Sequence, residues 1–253
     1  MKILVVGDSC KDVFRYGNAE RMCPEAPVPV FNPDESVSVG GMIHNVAYHL
    51  SQMGVEYDLT HSETESTKTR FIDKKTNQMI MRLDENDECE TPFDVRAFMQ
   101  DRHYDAVIIS DYATGFLSPY DIQYLIANTK FSFVDTKKRL GAWLSHATFV
   151  KINAHEWLLS KSEEVKEALR HNLIVTDGAN GCKHSGVSYK PKDVEVVMDP
   201  SGAGDVFLAG LAAKYLECQD TGDAIRYAQA AARQVVTVRG VRTKLHLPTV
   251  DIK

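Results

Sequence analysis

Short apolar runs alternate along most of the chain with stretches whose apolar residues recur at helical spacing. Lys2 to Gly7 is a β-rich run closed by Gly7-Asp8, which reads as a buried parallel strand whose C-terminal end opens onto a site. A polar loop is expected from Asp12, carrying Arg15 and Tyr16. Pro24, Pro27 and Pro29 exclude a helix and a central strand between Arg21 and Phe31, and the Val and Phe residues around them suit an edge strand of a small outlying sheet. Ser36 to Val39 alternates like a strand, and Gly40-Gly41 is expected to turn it into a helix, Met42 to Met53, with Val46, Leu50 and Met53 on one face. Val55 to Leu59 reads as a strand and His61 to Thr67 as a polar connector. Two strand-like runs, Thr69–Asp73 and Gln78–Leu83, flank Lys74-Lys75-Thr76-Asn77 as in a hairpin. With the proline-rich strand they predict a separate β lid, its strands within about 24–39 and 68–84.

From Pro92 onward the alternation is regular. A helix to about Arg102 precedes a strand at Asp105–Ser110, a helix at Ser118–Asn128, a strand at Phe131–Asp135, a helix-like stretch and a strand at Thr148–Ile152. A helix opening at Asn153 and a second at Glu163–Arg170 lead to a strand at Asn172–Thr176. Strands around Cys182–Tyr189 and Val194–Met198 follow, then helices at Ala203–Glu217 and Thr221–Val238. This rhythm means βαβ units and a mainly parallel sheet, an α/β fold. No repeat, low-complexity tract or linker interrupts it, so residues 1–253 are expected to form a single domain.

Composition narrows the function classes. A chain of 253 residues, 43% hydrophobic, buries one substantial core, and a net charge of −6 with interspersed signs argues against a nucleic-acid surface or a polybasic membrane anchor. The opening Lys2–Val6 run is too short for a signal peptide's apolar core and no stretch has the length of a membrane span, so a cytoplasmic location is expected. Five widely spaced cysteines without a Cys-x-x-Cys pair fit reduced thiols, and the nine histidines show no zinc-ligand spacing.

The chemistry concentrates at Asp199-Pro200-Ser201-Gly202-Ala203-Gly204-Asp205. A glycine-alternating turn ahead of an apolar helix aims backbone N–H groups at one spot, an anion hole, with Asp205 in the helix's first turn as a candidate base. The alternative is a plain glycine-rich helix start with Asp205 chosen for its charge at the N-terminus. Asn45 has two readings as well, a fork onto two sugar hydroxyls or an amide bonding local backbone. Asn153 and Glu156 form an Asn-x-x-Glu that also matches a capping box. Arg15, Lys68, Arg70, Lys137 and Lys138 read equally as phosphate contacts or solvated charges, and Trp143 and Trp157 as core.

Taken in order, the glycine pair, Asn-x-x-Glu, the Thr176-x-Gly178-x-x-Gly181 turn and Gly202-Ala203-Gly204-Asp205 give a sequence that resembles the ribokinase (PfkB-type) carbohydrate kinases. Within them it is most similar to the kinase domain of bacterial heptose-7-phosphate kinases, through Pro24–Val30, Thr67–Arg70, Arg82–Asp84, Ser110-Asp111-Tyr112 and Asp135-Thr136-Lys137. The resemblance implies a ribokinase-like three-layer sandwich and transfer of a phosphoryl group from ATP to a sugar hydroxyl, the anomeric hydroxyl of heptose 7-phosphate above others. It implies Asp205 as base, Gly202, Ala203 and Gly204 as the anion hole, and Asp12, Gly40, Gly41 and Asn45 around the sugar. Asn153, Glu156, Thr176, Gly178 and Gly181 would serve the nucleotide and its magnesium, Glu156 indirectly, and Asp199 with Ser201 a monovalent cation such as potassium. An exposed lid invites a homodimer. A kinase of the same fold for another sugar or a nucleoside, and a non-catalytic binding relative, are the rival readings. Three departures stand out. The chain is shortened between Leu59 and Thr67 and between Glu156 and Leu173, Thr114 replaces the usual lysine of Ser-Asp-Tyr-x-Lys-Gly, and Pro200 replaces a Val or Thr.

Overall fold

The computed structural model describes residues 1–63, 66–191, 201–237 and 244–252. The first half of the chain gives a core strand β1 (Ile3–Gly7), two long strands β2 (Ser9–Met22) and β3 (Pro29–Met42), helix α1 (Ile43–Gln52), and strands β4 (Asp58–His61), β5 (Ser66–Asp73) and β6 (Met79–Glu85). The βα alternation follows: α2 (Val95–Met99), β7 (Ala106–Asp111), α3 (Pro119–Ala127), β8 (Phe131–Thr136), β9 (Phe149–Asn153), α4 (Ala154–Ser160), α5 (Glu163–Ala168) and β10 (Leu173–Thr176). A short hairpin, β11 (Cys182–His184) and β12 (Val187–Tyr189), precedes the two long helices α6 (Ala203–Cys218) and α7 (Thr221–Val236).

Among the described residues, eight strands form the central sheet in the order β12-β11-β10-β9-β8-β7-β1-β4. It is parallel from β4 through β10, with β11 and β12 added antiparallel. Period-two alternation divides its side chains between two cores. Ile3, Val5, Ala106 and Ile108 pack with Val46 and Leu50 of α1, Leu208 of α6 and Ile225 of α7. Leu4, Val6, Val107 and Ile109 pack with Val95 of α2, Ile122 and Leu125 of α3 and Val165 of α5. The result is a three-layer sandwich. Ile108 and Ile109 are each 0% exposed, and burial of one such side chain is worth about 1.5–3 kcal/mol. Helix α6 is apolar nearly all round because it is covered on several sides, lying between α1, α7 and the sheet.

The second sheet, ordered β3-β2-β5-β6, is the expected lid, with β2 and β5 parallel and the outer pairs antiparallel. It contains more of the chain than the sequence reading gave it. The loop expected from Asp12 is part of β2, whose polar residues sit on a two-faced sheet and not in solvent loops. Gly40-Gly41 does not end the strand; β3 runs through it to Met42, and the change of direction falls at Met42, at φ 53°. The strand expected at Val55–Leu59 forms at Asp58–His61, and the helix-like stretch before β9 is one 3-10 turn, Ala142–Leu144, too short to build an apolar face. The proline-rich run is only partly the expected edge strand: Pro29 onward belongs to β3 at the edge of the sheet, but Cys23–Val28 is the bend that joins β2 to β3, closed by Cys23 N donating to Val28 O at 2.8 Å. Trp143 and Trp157 are half-buried against the α2–α5 core. The expected strand at Val194–Met198, and Asp199, lie outside the described residues.

All five cysteines are free thiols. Among the described residues no helix is long and apolar enough to cross a membrane.

Candidate active site

The parallel strands end together on the side where β8, β9 and the N-terminus of α6 meet. Gly202 caps α6 in the left-handed region at φ 76°, which leaves the N–H groups of the first turn free of side-chain caps. Gly204 is closely approached there. A Cβ on it would lie 2.7 Å from the Lys151 ammonium and 4.0 Å from Asp135 Oδ2. Lys151 and Asp135 themselves form an ion pair of 2.6 Å whose side chains are 4% and 7% exposed. The Lys151 ammonium, paired with Asp135, therefore stands beside the first turn of α6.

Asp205, one residue on, is buried, and both of its oxygens accept hydrogen bonds. Asn45 Nδ2 donates to Oδ2 at 3.0 Å, and the Tyr112 hydroxyl donates to Oδ1 at 3.1 Å. Burial pushes the Asp205 carboxyl up to about 6, with the charge of Asp135 adding to the rise, while Asn45, Lys151 and Tyr112 oppose it. It is thus ionised at neutral pH yet more basic than an exposed carboxylate. Asn45 Oδ1 is buried without a partner, so the amide reads toward Asp205 and not to local backbone.

The four expected sugar residues divide. Asp12 and Gly41 lie on the face of the lid turned toward Asp205: a Cβ on Gly41 would fall 2.2 Å from Asp12 Oδ2 and 2.6 Å from Cys10 Sγ. The Cys10 thiol is pushed up to about 12, mainly by burial, then by Asp12, with Asp205 also contributing. Asp12 is not waiting for a ligand alone; Arg70 Nη1 binds it at 2.5 Å. Gly40, the next residue along the strand, lines a cavity of about 440 Å³ with Cys10, Lys11, Ser38, His44 and His61. Gly41→Ala should displace Asp12 from Arg70 and cost about 1–3 kcal/mol, read as a lower thermal midpoint; an unchanged midpoint would show that the lid absorbs the extra methyl.

On the far side of α6 an apolar cavity of about 340 Å³ is bounded by Thr176, Gly178, Gly181, Ala203, Gly204 and Phe207, with Gln229, Ala232 and Val236 from α7. The two glycine turns that the sequence separates by more than twenty residues share this one wall. Asn153 and Glu156 do form a capping box: Glu156 N donates to Asn153 Oδ1 at 2.8 Å and Asn153 N to Glu156 Oε2 at 2.9 Å. Lys137 also pairs with Glu156, Lys138 with Asp111, and Lys68 with Asp84 and Asp87, so four of the five candidate phosphate cations, Arg70 included, have carboxylate partners and Arg15 is exposed.

Sequence reasoning passed over Lys151, Asp135 as its partner, Asp8 and the phenol of Tyr112. For Lys151 a signal existed: it is the lone charge inside Phe149–Asn153, a strand otherwise buried and apolar up to its last residue. For Tyr112 there was none, since its contact with Asp205 spans 93 residues of sequence. Among the described residues no group of three or more His, Cys, Asp or Glu is placed to hold a metal ion. The donor set still suits magnesium, which takes one or two carboxylates and completes its shell with phosphate oxygens and water. Asp135 Oδ1 is a buried carboxylate oxygen without a hydrogen-bond partner.

A parallel sheet whose strand ends carry a buried carboxylate, a helix N-terminus and an apolar slot, with a second β sheet beside them, fits an α/β sugar kinase. The chain belongs to the pfkB family of carbohydrate kinases, whose pattern matches residues 122–248. Its fold is that of the nucleoside kinase of Methanocaldococcus jannaschii, an archaeal member of the ribokinase family (TM-score 0.70, 18% identity, 98% of this chain and 94% of that one). The ribokinase of Thermotoga maritima is similar in the same way (TM-score 0.69, 16% identity, 94% of each chain). Among curated sequences it is similar to the bifunctional protein HldE of Marinomonas sp. strain MWYL1, 31% identical over 286 residues, covering 92% of this chain and 60% of the relative. HldE of Helicobacter pylori strain P12 is 30% identical, with 94% and 64% covered. The chain thus spans less than two thirds of these relatives' length. The 286 aligned positions exceed the 253 residues present, so the relative carries residues inside the matched region that this chain lacks.

Proposed function

We propose that this protein transfers the γ-phosphoryl group of ATP to the anomeric hydroxyl of heptose 7-phosphate, giving the 1,7-bisphosphate. The observation that carries the reading is Asp205: a buried carboxylate with a raised affinity for protons, in the first turn of α6 beside an uncapped helix N-terminus. A sugar hydroxyl is too weak an acid to ionise beforehand, so Asp205 takes its proton as the O–P bond forms and the bond to the ADP oxygen breaks. Backbone N–H groups of Ala203 and Gly204, with the Lys151 ammonium, hold the charge on the transferring group. Asp12, Gly41 and Asn45 orient the sugar, and the apolar slot by Phe207 and α7 takes the adenine, with Thr176, Gly178 and Gly181 along its wall. Asp135 and, indirectly, Glu156 would hold magnesium, which would supply further neutralisation of phosphate charge. Asp199 and Ser201 are the candidates for a monovalent cation. The lid keeps out water, which would otherwise accept the phosphoryl group.

The choice of heptose rests on the resemblance of Pro24–Val30, Thr67–Arg70 and Ser110–Tyr112 to the heptose kinases and on the HldE relatives. One observation favours a second reading, a kinase for another sugar or a nucleoside: the position of the usual lysine is Thr114, whose hydroxyl is spent on Asp8. A screen of ADP release with heptose 7-phosphate, other phosphosugars, free sugars and nucleosides decides between them. Heptose 7-phosphate should give the highest kcat/KM, and preference for a nucleoside would overturn the assignment. The same reading extends to a homodimer through the lid, where Met79, Met81 and Leu83 alternate along the edge strand β6 with exposures of 53%, 51% and 42%.

A further inference from the structure

The loop that follows β7 is held from below by Asp8, which is 0% exposed at the end of β1. Its two carboxylate oxygens divide the work: Tyr112 N donates to Oδ2 and Thr114 Oγ1 to Oδ1, both at 2.5 Å. Between these anchors Ala113 adopts φ 61°, a conformation that an L-residue takes only when its surroundings impose it. The clamp fixes the direction in which Tyr112 leaves the backbone. Its phenol then meets Asp205 Oδ1, and its ring lies 5.3 Å from the Lys137 ammonium.

We propose that Tyr112 is a positioning residue for phosphoryl transfer, its phenol set on Asp205 Oδ1 by the Asp8–Thr114 clamp, so that Thr114 serves the base instead of a substrate phosphate. The proposal rests on the reading of Asp205 as base. With Tyr112 on one oxygen and Asn45 on the other, the carboxylate cannot rotate about its own axis without losing both bonds, and each oxygen keeps one lone pair for the incoming hydroxyl. The phenol remains a donor throughout: burial first, and then the negative charge of Asp205, push its ionisation well above the usual range. The proton removed from the sugar stays on Asp205 while the phosphoryl group moves, and Tyr112 gives up none.

A donor to an ionised carboxylate favours the charged form, so its removal makes Asp205 harder to ionise. The other groups that face Asp205 stay in place: Asn45 from α1, Asp135 from β8, Lys151 from β9, Cys10 from β2 and Lys137 beyond β8. The shift then reports Tyr112 alone.

The test is a titration of the full chain labelled with carbon-13 at aspartate side-chain carboxyls, with the Asp205 signal assigned by its loss in Asp205→Asn. In Tyr112→Phe the Asp205 signal should titrate about one pH unit higher, the acid limb of kcat/KM should move by the same amount, and kcat at pH 6 should fall about fivefold with the KM for ATP unchanged. Thr114→Val, which leaves both partners of Asp205 intact but releases the clamp, should give a smaller shift of the same sign, and Thr114→Ser should restore the wild-type curve. An Asp205 titration that stays fixed in both Tyr112→Phe and Thr114→Val overturns the proposal. A shifted titration together with full turnover by Asp205→Asn overturns the reading of Asp205 as base and leaves the Tyr112–Asp205 contact standing.

Discussion

Asp205→Asn should lose activity and gain stability in one step. Sugar-dependent ADP release should fall by about 10²–10⁴-fold, the usual contribution of a positioned base, while ATP still binds. The gain has a different origin. Burial holds Asp205 at about 6 against an ordinary 3.8, so the folded protein binds this proton more tightly than the unfolded chain does. That contribution to stability is complete below about pH 4 and is lost as the pH rises toward 6, because the unfolded chain ionises first. The cost at neutral pH is up to about 3 kcal/mol for a shift of roughly two units. An asparagine carries no such cost, and the unpartnered Oδ1 of Asn45 can accept from the new amide once Asn45 flips. Denaturant midpoints of the two proteins should coincide near pH 4, separate up to pH 6 and run parallel above it. A difference that is independent of pH would remove the linkage, and normal turnover would remove the mechanism.

Lys151→Met should have the opposite effect on stability. Lys151 and Asp135 are buried together, so removing the cation leaves a carboxylate with no partner in a low-dielectric site, a loss of about 3–5 kcal/mol. It also removes the positive charge beside Gly204, and kcat should fall with it. Adding Asp135→Leu to Lys151→Met should recover most of the stability and none of the activity, since two apolar side chains can replace a buried pair at little cost. Urea unfolding of the two single variants and the double variant gives the coupling directly. A coupling energy near zero would mean that the pair is not formed in solution.

Local patterns made the central sheet readable before any coordinates. Phe131–Asp135 and Thr148–Ile152 are short apolar runs between helical segments, and they appear as β8 and β9 within a residue or so. Where the pattern is polar on both faces the reading failed: β2 carries Asp12, Arg15 and Tyr16 in a strand because the lid sheet pairs it on two sides, a long-range fact with no local signature. The same divide runs through the site. The helix N-terminus and Asp205 were legible because a glycine turn and an acidic first turn are local features. Tyr112, Lys151 and the Asp8–Thr114 bond belong to the site through contacts across 93, 16 and 106 residues. The capping box at Asn153 and Glu156 shows that one pair of residues can satisfy a structural and a proposed functional reading together.

Among the described residues, two of the crossings between core and lid lie side by side where β2 and β3 begin and end. Asp8 alone separates β1 from β2, Met42 joins β3 to α1, and the two are tied by Ser9 pairing with Met42 and by Ile43 N donating to Asp8 O at 3.1 Å. Both donors to Asp205 are rooted at these pivots: Asn45 lies three residues beyond Met42, and Tyr112 is bonded through its backbone to Asp8. A change of angle between the sheets at this joint would reach both side chains that hold the carboxylate. The joint between the two sheets and the two side chains that hold Asp205 therefore depend on the same few residues.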